Sequence, residues 1–308
     1  MSSAQPECGS VRLAGDRERL VSGNALAVGS MLFWAAGFPA AELLLADWHP
    51  ITLMTLRLAL ALAVLLPLWF LFDGPRVIAR ARWSDGIRVG ILGFGTGTNL
   101  LLFAQWYTDP LTVALIATTT PIAATVIEVL GRQRRLRTRF LLGLAASVAG
   151  GAIAIGGNLS ADLGWGVLMA ISSGFCFVWA SNAAVRDFPD LSPIGRSTIT
   201  FAGAAVFTSV IFCISAIFGV VEVPASIDAR QLGLLCIYAV AAMALSQILF
   251  IASVGKLGIA LTSFHINIAP FYVMVIMTAL GGVWDWRAAI GAAIVGVGVL
   301  ISQSGAAR

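Results

Sequence analysis

Ten apolar runs of about 20 residues recur along the chain, and only short polar segments separate them. An α-helix needs about 20 mostly apolar residues to cross the hydrocarbon core of a bilayer. The pattern therefore predicts an all-α polytopic membrane protein with ten transmembrane helices. The predicted helices cover residues 24–46, 50–72, 86–107, 110–130, 139–157, 162–184, 193–219, 231–254, 257–281 and 287–303.

The basic residues between these runs predict how the chain is oriented. If the N-terminus is cytoplasmic, Arg230 and Arg287 alone fall in outer segments, and Arg57 lies within a span. The other Lys and Arg residues fall in cytoplasmic segments, and the strongest cluster is the arginine-rich stretch 132–139. Because positive charge concentrates in cytoplasmic loops, both termini are expected there. The net charge of +4 belongs to these loops, so no nucleic-acid partner is expected.

The two halves of the chain repeat one another. Pro121 and Pro270 interrupt the fourth helix of each half in equivalent places, and Trp34 and Trp179 pair in the first helix of each half. Because each half has five helices, an odd number, the second half enters the membrane from the opposite side. The prediction is two inverted five-helix repeats. The predicted domains are a cytoplasmic tail at 1–20, a first repeat at 21–158 and a second repeat at 159–308.

Prolines inside three predicted spans mark breaks in the helices. Pro39, Pro121 and Pro270 each remove a backbone hydrogen bond, and we predict a hinge at each. Three threonines, 118–120, precede Pro121. Their hydroxyl groups can satisfy the carbonyl groups that a proline leaves unpaired in a membrane. Broken helices in corresponding positions of two halves indicate a transporter binding site near the midplane.

Composition excludes several other classes of protein. The chain is 59% hydrophobic and 11% charged, and its short connections leave no room for a soluble catalytic domain. It has two histidines and four cysteines without metal-ligand spacing, and it has no nucleophile or phosphate-loop motif in a suitable setting. We therefore expect no enzyme activity, no metal and no cofactor. The glycine-rich run 93–97 lies inside a span, where it favours close helix packing.

Polar and aromatic residues at membrane depth are the candidates for binding, because a polar side chain in lipid is costly. Asn99, Phe103 and Trp106 share one helical face. Interhelical hydrogen bonds and ordinary packing are the alternative explanation for these residues. The sequence does not decide which faces of the eighth and ninth helices line a cavity. The candidate substrate-binding residues are Trp34, Asn99, Phe103, Trp106, Trp179, Asn182, Gln247, His265, Asn267 and Tyr272.

Three charged residues are candidates for coupling or for charge pairs. Arg57 can pair with a carboxylate such as Glu42 or extend toward the outer face. Glu128 lies one turn from the arginines of 132–139, which makes charge pairing its default role. Proton coupling through Glu42, Glu128 or His265 is the alternative, since such groups can titrate near neutral pH in a low dielectric.

Several short motifs recur at matching places along the chain. They are Phe33-Trp34-Ala35, Pro50 with Arg57, Asp109 to Pro121, Gly143 to Gly157, Gly255 to Gly258, Pro270 and Gly291 to Gly298. Together they resemble the EamA-type, ten-helix members of the drug/metabolite transporter superfamily. The resemblance extends from Gly23 to Ser302 and is strongest to the aromatic amino acid exporter branch. The chain departs from the family at Gly131 and Leu280, where many members carry a glutamate.

The resemblance implies a secondary transporter that exports aromatic or other large hydrophobic amino acids across a bacterial inner membrane by alternating access. Its partners would be the small-molecule substrate and membrane lipid, and nothing in the sequence indicates an oligomer. A multidrug or metabolite exporter of lipophilic or cationic compounds is the main alternative. A membrane sensor without transport and a lipid-acting enzyme are weaker alternatives. The scarcity of charge at depth disfavours phosphorylated substrates.

Overall fold

Helices form every regular element in the described part of the computed structural model, as the apolar pattern predicts. The structure describes residues 6–131, 138–155, 164–222, 224–284 and 286–303. The long helices are α1 (Pro6–Leu45), α2 (Pro50–Asp73), α3 (Trp83–Tyr107), α4 (Pro110–Leu130), α5 (Thr138–Ile155), α6 (Gly164–Asp187), α7 (Pro193–Ile217), α8 (Ala229–Leu257), α9 (Ile259–Ala279) and α10 (Trp286–Gln303). A short helix, Pro75–Arg80, joins α2 to α3.

Each of the ten predicted spans is a helix. Eight of them, α1 to α4 and α6 to α9, are long and apolar enough within the described residues to cross a membrane. The other two, α5 and α10, have 18 residues each. The main difference lies in α1, which begins at Pro6 rather than near residue 24. Polar residues do not stop a helix, and no proline follows Pro6 before Pro39. The arginine cluster at 132–137 lies outside the described residues.

Local sequence explains where several helices begin. Pro50 and Pro193 occupy the first turns of α2 and α7, where a missing N–H group costs nothing. The side chains of His49 and Ser192 cap these helices by accepting backbone N–H groups of the first turn. Asp228 forms a capping box at the start of α8. Each cap directly precedes an apolar run, so the sequence locates these ends closely.

The contacts between helices relate the two halves in a symmetric way. Helix α1 packs along α8, and its counterpart α6 packs along α3, the counterpart of α8. The pairs α2 with α7 and α5 with α10 join equivalent helices of the two halves. This interlocked arrangement supports the predicted repeat, and it brings both halves around one common interior.

Irregular turns also occur in equivalent helices. A π-helical turn lies in α3 at Gly90–Gly95 and another lies in α8 at Ile237–Leu245. A 3-10 turn lies in α4 at Ala117–Thr119 and another lies in α9 at Phe264–Ile268. Both 3-10 turns directly precede the helical segment that carries a proline. Such turns frequently occur at functional sites of helical proteins.

Close helix packing accounts for the glycine-rich run 93–97. A Cβ atom at Gly93 would overlap the Cβ of Ala180 on α6. A Cβ atom at Gly90, one turn earlier, would overlap the carbonyl group of Thr200 on α7. The sequence-based packing interpretation is therefore confirmed, because small residues let the backbones of α3, α6 and α7 approach one another.

Candidate functional site

A central cavity of about 60 Å³, room for several water molecules, lies between the two halves of the protein. Side chains from α1, α2, α3, α4, α6, α7, α8 and α9 line it, so both halves contribute. The cavity therefore occupies the position that the repeat predicts for a binding site.

Aromatic side chains form one wall of this cavity. Phe94 of α3 contacts Phe177 of α6 and Phe201 of α7 edge to face, with ring centroids 5.7 and 5.4 Å apart. Phe177 also contacts Phe250 of α8, with the centroids 5.1 Å apart. Trp34 of α1 lines the same cavity. These rings come from five helices and form an apolar wall.

Polar side chains form the rest of the wall, and several of them already bind backbone. Thr98 donates to the carbonyl of Phe94 at 2.7 Å, and Ser30 donates to the carbonyl of Ser246 at 2.8 Å. Gln247 differs, because its Nε2 has no hydrogen-bond partner within the described residues. The polar lining consists of Ser30, Arg57, Thr98, Thr120, Ser173, Ser246 and Gln247.

The threonines around Pro121 mainly satisfy the backbone of α4. Thr119 donates to the carbonyl of Ile116 at 2.9 Å, and Thr120 donates to the carbonyl of Ala117 at 2.6 Å. Since proline interrupts the regular hydrogen bonds here, the hydroxyl groups replace partners that lipid cannot supply. Ala117 and Thr120 also line the cavity. The break therefore brings polar backbone to the edge of the cavity.

Arg57 of α2 is a buried cation in the cavity wall. Its Nε donates to the carbonyl of Tyr238 at 3.0 Å, and its Nη2 donates to the carbonyl of Ala242 at 3.3 Å. Its guanidinium carbon lies 3.7 Å from the centroid of the Tyr238 ring. Both carbonyl groups belong to the π-helical turn of α8. Arg57 thus pairs with backbone and an aromatic face rather than with Glu42.

The two candidate carboxylates lie elsewhere. Glu42 is exposed and accepts a hydrogen bond from Nε2 of Gln105 at 3.3 Å. Glu128 is buried, and its Oε1 accepts the backbone N–H of Ala260 at 2.9 Å in the first turn of α9. This contact joins α4 of the first half to α9 of the second. The arginines that the sequence suggests as partners of Glu128 lie largely in 132–137, outside the described residues.

The structure places two predicted binding residues, Trp34 and Gln247, in the cavity wall. Asn99 is buried on another face of α3, where its Nδ2 donates to Thr208 Oγ1 at 2.7 Å and thereby links α3 to α7. His265 and Asn267 are buried in the 3-10 turn of α9 without lining the cavity. Neither Oδ1 nor Nδ2 of Asn267 has a hydrogen-bond partner within the described residues.

Phe103 and Trp106 lie at the end of α3 that faces the α1–α2 connection, rather than in the cavity. Their rings contact His49, with centroids 6.1 and 5.2 Å from the imidazole. Burial beside these rings lowers the pKa of His49. The cluster packs the helix ends together, which agrees with the alternative interpretation of Phe103 and Trp106 as ordinary packing residues.

The remaining predicted residues lie outside the central cavity. Trp179 is 38% exposed, and it lines a peripheral cleft together with Asn182. Tyr272 is half-buried against neighbouring helices, in the same clusters as Trp34. Pro39 lies inside α1, which continues as an α-helix through it. Pro270 and Pro121 each follow a 3-10 turn.

Most of the aromatic wall is not evident from the sequence. Phe94, Phe177, Phe201 and Phe250 carry no polar group, and phenylalanine is common in lipid-facing positions. One signal was available, because Phe250 lies one turn beyond Gln247 on the same stripe of α8 as other lining residues.

Comparison with known proteins gives a family match for the first half of the chain and a shared fold for most of it. Residues 21–156 match the family model of the EamA-like transporter family. One solved structure, described as the crystal structure of a protein, matches with a TM-score of 0.74 at 16% sequence identity. The alignment covers 92% of this chain and 97% of that one, and at this identity it establishes the fold alone. No curated protein sequence matches this chain.

Proposed function

We infer that the whole chain belongs to the EamA-like transporter family and moves small organic molecules across a membrane by alternating access. The family match covers residues 21–156, which contain α1 to α5. The second half carries the same pair of irregular turns in equivalent helices, which supports extending the assignment to it. The proposal includes export across a bacterial inner membrane with both termini cytoplasmic, which the distribution of basic residues supports.

The central cavity is the observation that carries this proposal. Both halves contribute to its wall, so a relative movement of the halves would change access to it from either side. The 3-10 turns before Pro121 and Pro270 lie beside it. Helices break most easily at such positions, and we propose that they are the hinges of this movement.

The substrates that we propose are amino acids with aromatic or other large apolar side chains. The rings around Phe94 and Phe177 would hold the apolar side chain. The hydroxyl groups and the amide of Gln247 would contact its polar end. Export of lipophilic cations is the rival proposal, since aromatic faces attract cations. The described lining residues include no acidic side chain and one arginine, which disfavours the rival.

Uptake by proteoliposomes that contain the purified protein tests the proposal. The panel should contain phenylalanine, tryptophan, leucine, a small polar amino acid and a lipophilic cation, each with and without a pH gradient. Trp34→Ala removes part of the cavity wall, so we expect KM to rise by roughly tenfold, since truncating a buried aromatic contact commonly costs more than 1 kcal/mol. Trp165→Ala is the matched control, because Trp165 is 72% exposed and away from the cavity.

Transport of the cation with no transport of any amino acid would reject the amino acid proposal. Equal kinetics for the wild type and the Trp34 variant would show that the central cavity is not the binding site. A dependence on the pH gradient would establish proton coupling.

A further inference from the structure

Arg57 is the one charged side chain among the described residues that line the central cavity. Its exposed fraction is 5%, and no carboxylate of the described residues lies within ion-pair distance of it. A charge removed from water without a counter-ion is costly, and ionisable groups at membrane depth usually mark a substrate pathway. No acidic side chain of the described residues therefore compensates this charge.

The contacts of Arg57 hold its guanidinium group in place without neutralising it. The carbonyl groups of Tyr238 and Ala242 accept two of its five N–H groups. The Tyr238 ring covers one face of the guanidinium plane. These two hydrogen bonds use Nε and Nη2, and the guanidinium group borders the central cavity. A guanidinium edge matches the two oxygen atoms of a carboxylate.

Arg57 also lies where two cavities meet. Besides the central cavity, it lines a smaller space of about 10 Å³, about enough for one water molecule, that extends toward Gln105 of α3. Trp34 and Leu101 line both cavities as well. The guanidinium group therefore borders both spaces.

Resting on the proposed transport function, we propose that Arg57 binds the carboxylate of the substrate and that the substrate class is the aromatic monocarboxylates, with or without an amino group. The cavity supplies a cation for the carboxylate, but its described lining supplies no acidic side chain for an ammonium group. The carboxylate and the apolar body are therefore the recognised features. A single arginine fits a monoanion, whereas a phosphate dianion would need more positive charge.

Three ligands with the same ring test this proposal: phenylalanine, phenylpropionate, which lacks the amino group, and phenethylamine, which lacks the carboxylate. Binding to the purified protein is measured by calorimetry, and uptake is measured in proteoliposomes. We expect phenylpropionate to bind and to be transported at least as well as phenylalanine, and phenethylamine to do neither. These measurements use the wild-type protein, so they do not depend on the folding of any variant.

Variants then assign the effect to Arg57. Arg57→Gln should raise the dissociation constant of phenylpropionate by about tenfold or more, the value of a hydrogen bond to a charged group, and Arg57→Lys should raise it less. Arg196→Gln is the matched control. Arg196 also donates to two backbone carbonyl groups, those of Phe188 and Pro189, and it lies away from the cavity. Its removal should leave binding unchanged.

The outcomes separate this proposal from the transport function on which it rests. Transport of phenylalanine or phenethylamine without binding of phenylpropionate would overturn the role of Arg57 and leave transport standing. Equal affinity of the wild type and Arg57→Gln for phenylpropionate would overturn it as well. Binding of phenylpropionate that depends on Arg57, without uptake of any ligand, would support the binding site and reject the transport function.

Discussion

The close approach of α3 and α7 makes Gly90 a sharp test of how the cavity is held together. In Gly90→Ala, the new Cβ atom would lie 2.7 Å from Gly203 Cα and 2.9 Å from the carbonyl carbon of Thr200. Carbon atoms in contact prefer about 3.5–4.0 Å, and the carbonyl oxygen of Thr200 lies closer still, so the two helices would have to separate by roughly 1 Å or more. The opposing atoms are all backbone, and no side-chain rotation can relieve the overlap.

Overpacking of a well-packed interior typically costs about 1–3 kcal/mol, and we expect a loss near 3 kcal/mol because a whole helix has to move. The free energy of unfolding is measured in detergent by titration with SDS, followed by circular dichroism. Gly233→Ala on α8 is the matched control, since no heavy atom lies within 4 Å of its Cβ position. That change should stabilise the helix by roughly 0.5–1 kcal/mol.

Equal stability of the two glycine variants would refute the packing argument. The same variants give a second test, because α3 carries Phe94 and Thr98 into the cavity wall. Separation of α3 from α7 should therefore raise KM in Gly90→Ala and leave it unchanged in Gly233→Ala.

Two further predictions concern buried polar contacts. Glu128→Ala leaves the Ala260 N–H without its acceptor and should lower the free energy of unfolding by about 1–3 kcal/mol, whereas Glu128→Gln keeps an oxygen acceptor and should cost less. Equal losses in both variants would contradict the capping role. Asn99→Ala breaks the hydrogen bond to Thr208 and should cost about 1 kcal/mol of stability with KM unchanged. A large rise in KM would instead indicate that Asn99 contributes to substrate binding.

The sequence predicted the helices far better than it predicted the faces of those helices. On α3, the polar and aromatic stripe through Asn99, Phe103 and Trp106 was the obvious candidate for the cavity. The structure lines the cavity with Thr98 and Leu101 of the same helix. In a membrane, lipid is as apolar as the protein interior, so apolar periodicity does not tell the inner face from the outer face.

For Arg57, the sequence shows that a charge lies inside a span but does not show which groups it contacts. Its position inside a span was clear from the sequence, and a carboxylate such as Glu42 was the natural partner to suggest. The partners in the structure are carbonyl groups of the π-helical turn in α8. No pattern of side chains in the sequence predicts a backbone acceptor, and Tyr238 lies 181 residues beyond Arg57 along the chain.

The all-α class, the ten segments and most of their ends follow from the sequence, because the hydrocarbon thickness and the helix starts at His49–Pro50, Ser192–Pro193 and Asp228 leave little choice. The breaks before Pro121 and Pro270 follow from it as well. Which side chains meet at the cavity depends on the tertiary structure, through helix rotation, glycine contacts and irregular turns that shift the helical register. Those features arise from packing between distant segments, which local sequence does not encode.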